Sequence, residues 1–423
     1  MAASGENVNK LTDHLFRHEA GKMVAVLTRI FGLPNIELAE DIVQDAFAQA
    51  LNDWPFKTPP NPSAWLMMTA KNKAIDVLRH ERYKEKYSTE AAVELQQEYT
   101  SVPIIENLFL HNEIKDSQLR MVFACCHPAL SPADQIAFTL KICSGFSIEE
   151  IAAALLSNNE TIKKRIQRAK KFIKEKNLTF DIPSGNDLKK RLDAALHSIY
   201  LLFNEGYSSS NKSDLIRKDL CEEAIRLALM LTENEYISQP KCFALVALMS
   251  LLASRFEARL DANGEIILLE EQDRTKWSQE LINIGLNYLN KSSEGDEISD
   301  YHIEAAIVAE HSLAKNFKEI NWQRILHLYN LLTEINSSPA VLLNRAIVVG
   351  KVSGAAEAIK EINSIPDIKN YVDKNHLVNA VLGEMYRQEG NNSEAKRYFE
   401  KAVLLTNSDA EKKLMQKKLN SLQ

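Results

Sequence analysis

Between Asn158 and Lys171 the chain reads NNETIKKRIQRAKK. Lys163, Lys164, Arg165, Gln167, Arg168 and Lys171 bring ammonium, guanidinium and carboxamide groups close together. Such donors pair with guanine and adenine edges and with phosphate oxygens. Ile162, Ile166, Ala169 and Ile173 recur at three- and four-residue intervals, so a helix gathers them on one stripe and turns the basic side chains elsewhere. Ser157–Lys176 holds eight basic residues against Glu160 and Glu175, a local charge of +6 in a chain whose formal net charge is −6. A local field of that kind attracts a polyanion even when the whole protein is acidic.

The residues upstream say how this helix is held. Ser131-Pro132 suits an N-cap followed by a first helical residue. Gly145, after Lys141-Ile142-Cys143-Ser144, suits a helix end. Ser147 with Glu150 is a capping-box pattern. A short helix from Ile148 to about Leu156 then buries Ile151, Ala152 and Leu155. Ser157-Asn158-Asn159 makes the turn and caps the basic helix. This is the layout of a helix-turn-helix with an exposed cationic recognition helix, placed to enter a DNA major groove. The competing reading is a solvated basic helix face.

A second set of candidate groups lies in LAEDIVQDAFAQALNDWPFKTPPNPSAWLMMTAKNKAIDVLRHERYKEKY, residues 38–87. Two helices flank a Pro-rich loop, 54–63. The first carries Ile42, Val43, Phe47 and Leu51 inward and shows Glu40, Asp41, Gln44 and Asp45 outward. The second carries Trp65, Leu66, Thr69, Asn72, Ile75, Asp76 and Arg79. A basic helix that opens on an aromatic can stack on and track single-stranded nucleic acid. Trp65 fits that role or a place in the core.

Around these groups the 423 residues hold only 13 Gly and 12 Pro, and apolar residues recur at helical spacing nearly throughout. Alternating Val-, Ile- and Thr-rich runs bounded by hairpin turns are missing. The chain reads as all-α. Three blocks emerge, at 10–87, 117–177 and 187–423, with a polar linker over 88–116 that has some helix. A break at 177–186 carries Pro183 and Gly185. Cys125, Cys126, Cys143, Cys221 and Cys242 form an odd, unpatterned set, which argues for a reducing compartment. The N-terminus has no apolar leader core, and Cys242–Ala253 is shorter than the ~20 residues of a membrane span. The expectation is a cytoplasmic protein without membrane contact. Cys125-Cys126-His127 is a poor tetrahedral metal set, because three consecutive residues cannot spread around the ion. FNEGYSSS (203–210) is neither a nucleophile elbow nor a phosphate loop; a helix end at a domain junction suits it. No nucleophile–base pair, metal or cofactor is expected, and no enzymatic activity.

The two N-terminal blocks together resemble regions two and four of bacterial sigma factors of the extracytoplasmic-function (ECF) group. AEDIVQDAF is similar to the segment that docks on the clamp of core RNA polymerase. NPSAWLMMTAKNKAIDVLRHER is similar to the segment that melts and reads the minus-ten element. FSIEEIAAALLSNNETIKKRIQRAKKFI is similar to the helix-turn-helix that reads the minus-thirty-five element. The resemblance covers roughly residues 10–177. It implies core RNA polymerase and promoter DNA as partners. Asp41, Gln44, Asp45 and Phe47 fall at the clamp. Trp65 and Asn72 fall at the minus-ten surface, with loop 56–63 as the pocket for a flipped base. Lys163, Lys164, Gln167 and Arg168 fall at the base-reading face, and Arg165, Lys170 and Lys171 at phosphates. Glu160 stands where the family often has Gly.

HLVNAVLGEMYRQEGNNSEAKRYFEKAVLLTNS (376–408) places Leu382, Gly383, Tyr386, Ala395, Phe399 and Ala402 at the spacing of a tetratricopeptide (TPR) repeat. A degenerate copy runs over 340–365 with Ala355, Ile359 and Ile362. VFACCHPAL, YLLFNEGYSSS and NWQRILHLYNLLTEINSSPAVLLNRAIVVG resemble the ECF subgroup that carries a C-terminal TPR-like extension. That implies a regulatory third block with a protein or small ligand. The rival reading is a helix-turn-helix regulator with an effector-binding helical domain.

Overall fold

The computed structural model describes residues 2–86, 105, 107–127, 129–155, 157–182, 185–208, 216–235 and 237–422. Its regular elements are all helical, and among the described residues the one β-type pairing is an isolated bridge between Leu260 and Ile266. Two compact units divide the chain, Met1–Ser198 and Ile199–Gln423. The division falls inside a helix, downstream of the break at 177–186.

The first unit contains α1 (Ala2–Phe31), α2 (Ile36–Asp53), α3 (Pro62–Lys86), α4 (His111–Cys125), α5 (Pro132–Ile142), α6 (Ile148–Ala154), α7 (Asn159–Lys176) and the start of α8 (Gly185–Tyr207). Most of the expected linker lies outside the described residues, and α4 begins before residue 117. The two sigma-like blocks pack as one body. Gly21 of α1 lies so close to α5 that a Cβ there would sit 2.3 Å from the Cys143 carbonyl oxygen. Arg17 pairs with Glu150 at 3.0 Å, and Arg29 pairs with Glu113 at 2.7 Å and with Asp116 at 3.1 Å. Met23, Val26 and Leu27 of α1 are fully buried, so apolar packing holds this contact and the ion pairs fix its rim.

The second unit continues with α9 (Lys218–Thr232), α10 (Pro240–Ala253), α11 (Gln279–Ser292), α12 (Asp300–Leu313), α13 (Trp322–Ile335), α14 (Pro339–Ser353), α15 (Ala355–Ser364), α16 (Ile368–Lys374), α17 (His376–Gln388), α18 (Asn392–Leu405) and α19 (Asp409–Asn420). Consecutive helices pack on one another along the array. The apolar stretch 242–253 becomes α10, buried on nearly every side. Gly383 lets α17 close on α18, since a Cβ there would stand 2.6 Å from the Phe399 ring. Leu382, Ala395, Phe399 and Ala402 fill the seam, and Tyr386 stacks on Tyr398 at 5.5 Å. One segment breaks the helical rule. Residues 254–278 run between α10 and α11 as short 3₁₀ turns and a hairpin-like bend, with its ends tied by the Ser278 N–H donating to Ser254 O at 2.8 Å.

Candidate nucleic-acid interface

Local chemistry builds the basic helix and its support. Ser131 accepts the Asp134 N–H and starts α5 ahead of Pro132. Gly145 takes φ +66°, which ends that helix at a conformation L side chains resist. At α6 the capping box closes: the Ser147 N–H donates to Glu150 at 2.8 Å, and the Glu150 N–H donates to Ser147 Oγ at 3.1 Å. Asn158 then caps α7 by accepting the Thr161 N–H at 2.8 Å, and Asn177 ends it in the left-handed region. Ile162, Ile166, Ala169 and Ile173 are buried against the rest of the motif, as their spacing requires.

The opposite face of α7 is wet. Lys163, Lys164, Gln167, Arg168 and Lys171 are exposed, and Arg165 is half-buried. Two members of the cationic set have firm partners. Arg168 grips Asp134 of α5 with two bonds, at 2.9 and 2.5 Å, while its side chain stays 61% exposed. Burial would raise the Asp134 carboxyl, but the Arg168 bonds outweigh it and hold that carboxyl below its ordinary range. Arg168 thus also ties the recognition helix to its support, a role that its place on a base-reading face did not suggest. Lys170, half-buried, pairs with Glu40 of α2 at 2.6 Å. Looser contacts join Lys164 to Glu160 at 3.5 Å and Lys171 to Glu175 at 3.7 Å. Exposed pairs of that kind contribute little and part readily.

On α2, Asp41, Gln44 and Asp45 are exposed on one side. Asp45 reaches Lys73 of α3 at 3.5 Å. Phe47 belongs to the core: it is buried, with its ring edge-on to Phe16 at 5.0 Å. A buried ring offers nothing to a docking partner, so the acidic face stands without it. Leu51 departs the other way, at 42% exposed. Ala46 and Ala50 occupy the inward register at that end, and Trp54 fills the space below.

Trp65 is half-buried, edge-on to the fully enclosed Trp54 at 5.5 Å, and Asn72 is exposed two turns further along the same side of the helix. Asn61 caps α3 through the Ala64 N–H at 3.0 Å. The loop between the helices carries Phe56, 92% exposed, at the first position of the expected pocket 56–63, where its ring had no assigned role. An aromatic flanked by prolines in a polar loop has no core to join, and that was the available signal.

Models of sigma-70 region 2 and sigma-70 region 4 match residues 15–83 and 120–173. The chain carries regions 2 and 4 of a sigma factor. Promoter recognition and transcription initiation are therefore its function, with core RNA polymerase and promoter DNA as partners. A family of unknown function matches residues 191–293. The sigma factor is 34% identical to an uncharacterized protein of Rhizobium meliloti (strain 1021) over 394 residues, 92% of this chain and 90% of the relative, and shares its family. No solved structure matches.

Elsewhere in this sigma factor the thiols are packing groups. Cys125, Cys126 and Cys143 are buried, and burial pushes the Cys126 thiol up to about 12. His127 accepts the Ala129 N–H and rests against the Phe172 ring. No helix among the described residues is long and apolar enough to cross a membrane. In the second unit an apolar cavity of about 310 Å³ opens among α14, α17, α18, α19 and residues Ile266 and Leu268. Volumes of that order suit small ligands.

Proposed function

We propose that this sigma factor works as an ECF-type factor, with its second unit a TPR-like regulatory array. Asp41, Gln44 and Asp45 of α2 meet the polymerase clamp. Trp65, Asn72 and the loop carrying Phe56 engage the minus-ten element, with Phe56 stacking on an unpaired base. Lys163, Lys164 and Gln167 read base edges of the minus-thirty-five element, and Arg165, Arg168 and Lys171 hold phosphates. The protein works in the cytoplasm, where its polymerase is. The cavity of the second unit is the natural seat for a regulatory ligand. The observation that carries this reading is the doubly capped α6–α7 pair, whose cationic face belongs to the same body as the acidic face of α2.

That body has a consequence for the mechanism. A compact unit of 198 residues has a radius of gyration of roughly 16 Å. Promoter elements roughly 25 base pairs apart are separated by about 85 Å at ~3.4 Å per pair. Both surfaces cannot reach their elements while Gly21 is seated on α5 and Lys170 on Glu40. Polymerase binding must part them, and the pairing of Lys170 with Glu40 gives way to phosphate and clamp contacts.

The test is capture of core RNA polymerase by the purified chain, followed by run-off transcription from a genomic fragment library. Polymerase capture with start-site-specific transcripts is expected, and charge reversal at Asp41 and Asp45 should abolish it without unfolding the chain. Duplex binding by the chain alone, with no polymerase capture, would transfer the reading to a helix-turn-helix regulator.

A further inference from the structure

The segment 254–278 of the second unit gathers three arginines in a place built for few. Arg259 lies over the Tyr207 ring, 3.8 Å from its centroid, and donates to the Tyr207 carbonyl. Arg255 donates to the Tyr207 hydroxyl at 2.5 Å and sits 5.6 Å from the centre of the Trp277 ring. Arg274 sits 4.5 Å from that same ring and donates through Nη1 to the His311 and Ala314 carbonyls at 2.6 and 2.7 Å, at the end of α12. Among the described residues none of these three guanidiniums pairs with a carboxylate. Burial first, then Arg255, disfavours the charged form of Arg274; at Arg259 burial does the same, with Tyr207 opposing it and Arg255 adding to it.

Four buried nitrogens point to what is missing from the balance. Arg255 Nε, Arg274 Nη2, Trp277 Nε1 and His311 Nδ1 are shut off from solvent and have no hydrogen-bond partner. Trp277 is only 3% exposed, so its indole N–H cannot be satisfied at the surface. A buried donor left without an acceptor costs about 1–3 kcal/mol, and a charged one more. Three such donors in one neighbourhood, beside His311 and with Arg255 close to both Arg259 and Arg274, suit an anion.

We propose that Arg255, Arg274, Trp277 and His311 form a binding site for a phosphate group, with Arg259 and Tyr207 as its second wall. The charge argues for phosphate over a carboxylate, because three guanidiniums match a dianion better than a monoanion. The donor types agree, since planar guanidinium forks and a single indole N–H are the groups that phosphate oxygens accept from. Tyr207 is held by the close approach of its own helix end. A Cβ on neighbouring Gly206 would meet Cys221 Sγ at 2.7 Å and the Arg217 carbonyl oxygen at 2.8 Å. That approach accounts for the Gly of FNEGYSSS. Tyr207, Arg255, Arg259, Arg274 and Trp277 all lie within the stretch matched to a family of unknown function. The proposal is independent of promoter binding.

The test uses the full chain in phosphate-free buffer, with thermal denaturation and calorimetry against potassium phosphate, acetate and chloride at equal ionic strength. Saturable stabilisation by phosphate is expected, with affinity at least about tenfold weaker in Arg255→Gln, as loss of a charge-assisted bond implies. Phosphate stabilisation that never saturates and is equal in the variant would be general exclusion from the surface, and would overturn the site. Equal stabilisation by acetate would overturn the phosphate assignment. If Arg255→Gln fails to fold, His311 reports in the wild-type chain. Arg255, Arg274 and the Trp322 ring face its imidazole, which burial and those two cations push down to about 4. A bound dianion must raise that midpoint, and an unchanged His311 titration with phosphate present would sink the proposal.

Discussion

The cations of α7 and those of the 254–278 segment are the same residue types under opposite conditions. On α7, Lys163, Lys164 and Lys171 stand in water, and water itself stabilises them. They can wait for a polyanion at no cost to the fold. Arg255, Arg259 and Arg274 are packed on aromatic rings, bonded to carbonyls and a phenol, and crowd one another. A cation partly withdrawn from water loses hydration that rings, carbonyls or a counter-charge must replace. The contrast separates two kinds of polyanion chemistry: a surface that scans and releases, and an enclosure that selects one group.

The comparison breaks most sharply at Arg274. Arg274→Ala strips the donors from two carbonyls at the end of α12 and leaves its neighbours unsupported. The expected cost is about 1.5–3 kcal/mol in chemical denaturation of the second unit. Lys163→Ala should cost less than about 0.5 kcal/mol by the same measurement. If the two variants were equally mild, the half-buried set would be no different in kind from the exposed one.

Next comes a variant that removes binding while sparing the fold. Combining Lys163→Ala, Lys164→Ala and Gln167→Ala should weaken promoter binding by polymerase holoenzyme by about 100-fold or more, at about 1–3 kcal/mol for each lost base contact. The melting temperature should stay put, because the buried stripe of Ile162, Ile166, Ala169 and Ile173 is untouched. Footprinting and calorimetry on one preparation would check both halves.

A buried acid offers the converse case. Tyr200 donates to Glu304 at 2.5 Å, and burial raises the Glu304 carboxyl to about 7 from its ordinary 4.5. A carboxyl raised in the folded state binds its proton more tightly there than in the unfolded chain. Its contribution is therefore full below about pH 4.5 and lost as pH rises through about 7. At ~1.4 kcal/mol per pKa unit, the loss across that window is about 3–4 kcal/mol. Glu304→Gln should flatten this part of the stability–pH curve.

What could be read beforehand follows the same division. The helix-turn-helix was legible because its signals are local: Ser131-Pro132, the Ser147–Glu150 box and Asn158 act within one turn of helix. Phe47 and Leu51 show the first limit. Their spacing from Val43 fits an inward stripe equally well, and only the position of Trp54 and Phe16 decides that Phe47 is enclosed and Leu51 is not. The pairing of Arg168 with Asp134 joins residues from two helices, which no periodicity reveals. The arginine enclosure was hidden more completely. Segment 254–278 has neither helical nor alternating spacing, and its cations meet Tyr207 and His311 only through the packing of α8 and α12. Its one advance sign was its length without helix inside a helical array, since long irregular stretches in compact domains are commonly functional.

The smallest effect tests the exposed set at its most expendable member. Lys171 is 75% exposed, with Glu175 one turn on at 3.7 Å. An exposed i,i+4 pair contributes about 0.3–0.5 kcal/mol, so Lys171→Ala should be almost invisible in denaturation. Its assigned work is to neutralise one phosphate. Each neutralised phosphate releases condensed counterions, so log affinity falls against log salt with a slope of about −0.9 per contact. The variant should therefore bind every promoter sequence somewhat more weakly at low salt, with the slope shallower by about one and the sequence preference unchanged. A change in preference with the slope intact would move Lys171 to the base-reading face, and no change in either would return it to solvent.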